Sequence, residues 1–393
     1  MGQPTITINR GQGGLGRPLT SKDHISGFIM PFVNANLPSG FTTTDRIKVV
    51  YSIAEIEALG VTQAGADTKV LWYHVDQFFK KQPKGKLFVM LLDSTSVDLA
   101  SVKTLQYYAE GEIRQVAFYN PLSAFATATC NSLQTHATTL EGENMPLSIL
   151  YAGNFQALAN ISALADLKAL SNKNVSVVIG EDGANNGKAL ADALSYSITC
   201  IGATLGTLAG AEVFRNIGHV GRFNQIDGSE FEVPALAINT TTTLVKDQST
   251  SSLDSLHDKG YIFLKKYTGY TGTFYNDAPT TIANTSDYAT IENNRTMDKA
   301  VRGMRAFLLP FQNAPLYVNE DGTLTEDVIA LYKNETERAL EQMEREGEIS
   351  KSSVTINPAQ DVLSTSKISI AVKIVPVGVA REIEVNVGFA VSL

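Results

Sequence analysis

Residues Gly11-Gln12-Gly13-Gly14-Leu15-Gly16 match the spacing GxGxxG. In a dinucleotide site that spacing turns a strand tightly into a helix whose first N–H groups face a pyrophosphate. A short alternating strand, Thr5-Ile6-Thr7-Ile8, precedes it, as that chemistry requires. The residues after Gly16 do not fit: Pro18, Gly27 and Pro31 interrupt the stretch where the helix should run, and an acidic ribose partner is missing. The glycines read better as a linker. A second candidate, "GEDGANNGKAL" at 180–190, stands between a strand and a helix, the place of a phosphate loop. Its Gly183–Lys188 spacing is one residue short, and Ala189 stands where a Ser or Thr would bind magnesium. It reads as an ordinary strand-to-helix loop.

Other chemistry is equally hard to assemble. His24, His74, His136, His219 and His257 lie far apart without HxxxH or HExxH spacing, and no GxSxG elbow is present. Cys130 and Cys200 have no CxxC companion, so they are expected as buried free thiols rather than a disulfide or zinc site. No catalytic, cofactor or metal-binding residues are therefore expected. The formal charge of −8 disfavours a nucleic-acid binder. The one ordered set of charges is a basic stripe, Arg295, Lys299, Arg302 and Arg305, on a helix ending before Pro310. Met297, Val301, Met304 and Leu308 form its apolar stripe. A solvated face is the plain reading; a contact to a neighbouring subunit or partner is the sharper one.

The elements that would carry these residues fall into regions. Among 393 residues, 44 % apolar and 18 % charged, two or three folded domains are expected. We expect an arm over 1–25 and the start of a core over 26–85, with helices at Ser52–Leu59 and in "DTKVLWYHVDQFFKKQPKG". A central α/β domain is expected over 86–250. Its strands "KLFVMLLD", "RQVAFYNP", "LSILYAG" and "NVSVVIGED" are continuous apolar runs separated by helices, which predicts a largely parallel sheet. Helices are expected around 99–111, 124–140, 161–170 and 188–211, and a loop or exposed strand pair over 239–254. Ala193–Ala211 is uncharged and carries Gly202, Gly206 and Gly210 at GxxxG spacing. Asp192 and Glu212 bracket it without a positive flank, so a buried helix with its glycine face on a sheet is expected, not a membrane span. "MGQPTITINR" lacks a basic, then apolar, secretory pattern, and Ile6 breaks a myristoylation motif.

An α+β domain is expected over 251–375 and a second arm over 376–393. A helix from the capping box Thr323-Leu324-Thr325-Glu326 to Gly347 has Val328, Leu331, Tyr332, Ala339, Leu340 and Met343 inside and an acid-heavy outer face. In "REIEVNVGFAVSL", Ile383, Val385, Val387, Phe389 and Val391 alternate with polar or small residues, the pattern of a half-buried strand. It pairs either with "SKISIAVKIVPVG" as a hairpin or with another molecule. The second reading is suggested by Pro376-Val377-Gly378-Val379-Ala380, which is no tight turn.

With these stretches in place, the sequence resembles the sheath proteins of contractile phage tails and related injection machines. The likeness is carried by "IKVVYSIAEIEALG" with "LWYHVDQFFKKQPKGKLFVMLLD", by "ATLGTLAGAEVFRNIGHVGRFN", by "YNDAPTTIANTSDYATIENNRTMDKAVRGMRAFLLPF", and by the last forty residues. The resemblance implies subunits stacked helically around an inner tube, with terminal strands Thr5–Ile8 and Ile383–Val391 added to neighbours. Gly11, Gly13, Gly14, Gly16, Pro376 and Gly378 would be the arm linkers, and Arg295–Arg305 a contact to the tube or a neighbour. The implied partners are other copies, the inner tube protein, the baseplate and the tail terminator, without nucleic acid or membrane insertion. The implied location is a virion tail or injection particle assembled in a bacterial cytoplasm. Two rivals stay open: an α/β enzyme or ligand-binding protein using loops after Asp93, Asn120, Gly153 and Gly180, and a non-contractile tail-tube or capsid component.

Overall fold

The computed structural model describes residues 22–194 and 196–390. The expected strand Thr5–Ile8, the linker Gly11–Gly16 and Val391 lie outside the described residues.

The first described strand, β1 (Ile25–Phe32), is buried along its whole length. After β2 (Ile47–Val50), α1 (Ile53–Ala58) and α2 (Lys69–Lys81) come β3 (Lys86–Asp93), α3 (Ser101–Tyr108), β4 (Gln115–Ala124), α4 (Thr127–Gly142) and β5 (Ser148–Asn154). Next are β6 (Ser171–Asn172), β7 (Val175–Val178), β8 (Gly180–Asp182), α5 (Asn186–Ala193), α6 (Ile201–Gly210), β9 (Pro234–Leu236), β10 (Thr243–Leu244), α7 (Thr250–Asp258) and β11 (Tyr261–Ile262). One sheet has the order β11-β7-β5-β4-β1-β3-β2, and every pairing is parallel except β2 with β3. Gly27 lies under Leu105 of α3, whereas Phe28 meets His74 of α2 at 5.5 Å between ring centroids. Adjacent strand residues point to opposite faces, so helices cover both sides. His74 is the core histidine of this layer. It is fully buried among Phe28, Tyr73 and Tyr119, and burial lowers its pKa to about 3.

The central, mostly parallel sheet follows the sequence pattern; several details do not. β1 was not expected as a strand, because Gly27 and Pro31 interrupt its pattern, yet Pro31 sits past Ile29, where pairing with β4 has stopped, and needs no N–H on that side. The cuts expected at 25/26, 85/86 and 250/251 all fall within one hydrophobic core that runs from Ile25 to Ile291. The helix expected over 161–170 is two short 3-10 turns, Ile161–Ala163 and Leu167–Ala169, each started by an Asn or Asp side chain at its N-cap. The single helix expected over 188–211 is two, because Thr199 pairs with Glu181 between them. The strand "NVSVVIGED" likewise divides: β7 joins the large sheet and β8 joins β9 and β10. The loop expected over 239–254 contains the start of α7, which Ser249 caps by accepting from Ser252 N.

The glycine face of α6 rests on a helix, not on the sheet. Cβ atoms at Gly202 and Gly206 would lie 2.4 Å from His74 O and 2.5 Å from Phe78 O of α2. No helix among the described residues is long and apolar enough to cross a membrane.

β12 (Leu264–Tyr267), β13 (Tyr270–Tyr275) and β14 (Thr281–Ile282) lead into the second part of the molecule. There α8 (Ile291–Leu308) and α9 (Glu326–Arg345) support an antiparallel ribbon of β15 (Ile349–Ile356) and β16 (Ile370–Pro376), with the short α10 (Val362–Thr365) between its strands. Ala300, Leu340, Met343, Ile349 and Val354 form one small core, and Leu324, Val328, Tyr332 and Val362 another. Two apolar assignments shift: Val301 and Leu331 are 40 % and 42 % exposed. The capping box does not close, since Thr325 is the N-cap and Thr323 Oγ1 donates to Asp321 instead. Gly347 ends the helix with φ +72°, as its type suggests.

The phosphate-loop candidate shows its real occupants. Asp182 Oδ2 accepts from Asn185 N at 2.9 Å and Glu230 Oε1 from Asn186 N at 3.0 Å, so the chain's own carboxylates take the N–H groups at the start of α5. Burial and the Asp182 charge push Glu181 up to about 8 and Glu230 up to about 7. Their folded pKa values lie above those of the unfolded chain. Their contribution is therefore fully present below about pH 4.5 and is lost as pH rises through 7 to 8. The melting temperature of Glu181→Gln should exceed that of the wild type at pH 8.5 and converge with it at pH 4.5. Thermal denaturation across pH checks this; parallel profiles would remove Glu181 as a cause.

Candidate assembly surface

Beyond β16, residues 377–390 belong to no described strand. Ile383, Val385, Val387 and Phe389 are between 73 % and 111 % exposed. The alternation places these four on one face of any strand they form. β16 pairs with β15 over Ile356↔Ile370 to Ile349↔Pro376, so the hairpin between "SKISIAVKIVPVG" and the final stretch is not formed among the described residues. Pro376 is the last rung of that ladder, and Ser350 Oγ donates to its carbonyl at 2.9 Å. Pro376, expected in the linker, is thus the end of β16, and Val377–Ala380 follow it outside any described strand. Among the described residues the ribbon has two strands, so each keeps one backbone edge unpaired by a strand, and on β15 Ser352 N is already taken by Glu344 Oε1 at 2.7 Å. Such a pair is marginal alone, and α9 supports it from one side.

Sequence reasoning missed how the tail leaves the body. Arg381 Nε donates to Asp277 Oδ2 at 2.9 Å, and its Nη2 donates to Glu292 Oε1 at 2.5 Å. Asn216 Nδ2 donates to both carboxylates as well. Burial alone would push Asp277 up, but the Arg381 guanidinium holds it below its ordinary value; burial and Asp277 together push Glu292 up. A signal existed in the sequence, because Arg381 is the only cation after Lys373. Its acid partners are remote in the chain, and only the fold collects them.

The basic stripe is largely consumed inside the chain. Arg295 is 3 % exposed and its Nη2 donates to Ala211 O at 3.2 Å, at the end of α6. Lys299 bridges Glu348 at 2.6 Å and Asp23 at 3.3 Å, and Arg302 lies 3.9 Å from Asp23. Of the four, Arg305 alone is exposed. The docking surface expected from Arg295, Lys299 and Arg302 is thus corrected to an internal seam between α8 and the first part of the chain. The acid-heavy face of α9 is laced by its own pairs, Lys333–Glu337, Arg338–Glu335 and Arg345–Glu341.

At the strand ends where a small-molecule site was the rival, Asp93 accepts from Thr95 N and Oγ1 and from Asn34 Nδ2. Gly153 packs on the Phe125 backbone, where a Cβ would lie 3.0 Å away. Gly180 opens β8 rather than closing a strand of the large sheet.

Two family models cover nearly the whole sequence: the DUF2586 N-terminal domain matches residues 3–279 and the DUF2586 C-terminal domain residues 287–393. The chain belongs to the DUF2586 family. The seam between the models falls at the end of the large core, just before α8. No curated protein matches the sequence. Among solved structures, the sheath of an extracellular contractile injection system, PVC, in its contracted state is similar with a TM-score of 0.64 at 12 % identity, over 100 % of this chain and 98 % of that one. The helical sheath of the anti-feeding prophage in its contracted state gives 0.63 at 14 %, over 98 % and 100 %. A sheath tail protein from Desulfitobacterium hafniense gives 0.54 at 11 %, over 95 % and 100 %. The fold of this DUF2586 chain is thus that of contractile-sheath proteins.

Proposed function

We propose that this chain is the structural subunit of a contractile sheath, polymerising helically around an inner tube and contracting to drive it through a target envelope. The observation that carries the reading is the exposed alternating face of Ile383, Val385, Val387 and Phe389, in a chain whose β16 has no strand on its outer edge among the described residues. The likeness in fold to contracted sheaths over the full chain supports it. The C-terminal stretch adds as a strand to a neighbour, backbone bonds supplying affinity and the alternating side chains register. Residues Thr5–Ile8 act similarly on another neighbour, tethered by Gly11–Gly16. The subunits are joined to an inner tube, a baseplate and a terminator within a tail or injection particle assembled in the bacterial cytoplasm. Contraction is a shift between two lattice packings and needs no bound nucleotide. We read the chain as structural and not catalytic.

Negative-stain electron microscopy over a concentration series of the full chain, with and without its tube protein, tests this. Hollow cylinders of uniform width are expected. Compact particles alone under both conditions would overturn the reading.

A further inference from the structure

Two ion-pair clusters tie separate parts of the chain to one helix. At the first turn of α8, Glu292 shares Arg381 with Asp277; Asp277 lies in the N-terminal domain match, Glu292 and Arg381 in the C-terminal one. Two turns or so further along, Lys299 and Arg302 hold Asp23, again across the domain seam. At 1.5 Å rise per residue the two clusters are roughly 10–15 Å apart on the helix. Asp23 stands two residues before β1, and Arg381 directly precedes the exposed stretch. The first described residues and the exposed C-terminal stretch are thus each held to α8 by a charge, of opposite sign.

We propose that Arg381 and Asp23 are positioning residues for assembly: they latch the roots of both arms to α8, so that each arm departs from a fixed point and a pull on either is delivered to this one helix. The proposal rests on the reading that the terminal segments join neighbouring subunits. The linker 377–380 is consequently held at both ends, by Pro376 in the β15–β16 ladder and by Arg381 on its acids. Freedom to follow a moving neighbour starts at Glu382. A neighbour's strand then meets an arm whose origin is already fixed, which raises its effective concentration at the docking edge. Removing the latch should weaken assembly without touching any residue that pairs across subunits. The latches are ionic and partly solvated, Arg381 being 41 % exposed at its side chain, so they can open under load, and salt should loosen them.

The test uses the full chain. Both native cysteines are buried, so a spin label on Val379→Cys reports the linker alone. In the monomer the label should be immobilised, and Arg381→Ala should free it while Arg381→Lys retains part of the restraint. Polymerisation of unlabelled Arg381→Ala and of Asp23→Asn should need roughly tenfold more protein than wild type, with Arg381→Lys intermediate; all three should still melt cooperatively, Arg381→Ala at a lower temperature because Asp277 and Glu292 lose their cation. A label already mobile in the wild type, or polymerisation curves that coincide with the wild type's, would overturn the latch. If the wild type forms no polymer at all, the sheath reading fails, while the label on the monomer still decides whether the root is held.

Discussion

A chain lacking residues 382–393 is expected to melt as the intact subunit does and to form no cylinders at any concentration. The cut falls after Arg381 because that residue serves its own subunit: its guanidinium covers Asp277 and the almost fully buried Glu292. A cut at 380 would strand two acids and confuse instability with failed assembly. Residues 382–390 are exposed, and no described hydrogen bond to the body starts there. Deletion therefore removes no described core residue. In a polymer the balance differs. Burying Ile383, Val385, Val387 and Phe389 is worth about 1.5–3 kcal/mol for each side chain. Ordering the segment costs about 1–2 kcal/mol per residue of backbone, so burial alone does not hold the arm; the ladder of backbone bonds to a preformed strand must be made as well. Such a strand is weak singly and strong when repeated around a lattice. Phe389→Ala should accordingly raise the assembly threshold severalfold while the deletion abolishes assembly. Sedimentation of the two variants, beside their thermal melts, checks both; loss of the cooperative melt in the deletion would assign the strand to its own core.

The sheet was legible because buried parallel strands are continuous apolar runs, and "KLFVMLLD" runs as β3 from Lys86 to Asp93. β1 was not, because Gly27 and Pro31 carry the same letters as a linker. Their meaning depends on Leu105 above the glycine and on pairing with β4 ending before the proline. Periodicity also cannot see a break that comes from pairing at a distance. The uncharged run 193–211 scans as one helix until Thr199 meets Glu181. The basic stripe failed for a third reason. Spacing put Arg295, Lys299 and Arg302 on one side of α8, as the structure has them. Whether a charged side faces water or carboxylates is decided by Asp23 and Glu348, which lie far away in sequence. The exposed alternating stretch was visible at once, since its alternation is local; its anchor at Arg381 was not, since both acids are distant.

The largest effect on stability is expected where α2 and α6 cross. A Cβ at Gly206 would stand 2.5 Å from Phe78 O and 2.9 Å from Phe78 Cα, and one at Gly202 would stand 2.4 Å from His74 O and 2.7 Å from His74 Cα. These are backbone atoms of a helix already held by its own ladder, so no rotamer change relieves the clash. The helices must separate, and α6 cannot retreat because its other side lies on β1, β4 and β5. Overpacking of this kind costs about 1–3 kcal/mol for a small insertion and more where the backbone must move. Alanine regains up to about 1 kcal/mol of helix propensity over glycine, which is too little to offset the clash. Gly206→Ala should thus destabilise by about 2 kcal/mol or more, a large share of a typical domain's roughly 5–15 kcal/mol. Gly206→Leu should yield no soluble folded protein. Gly210→Ala is the internal control. Its added Cβ would lie 3.3 Å from Lys81 O, at the end of α2 where the helices diverge. There the propensity gain and the mild crowding should nearly cancel. Urea titration of the Gly206→Ala and Gly210→Ala variants separates the cases: a clear shift for the first and almost none for the second. Equal shifts would mean that helix propensity, and not contact between the helix backbones, explains the glycines.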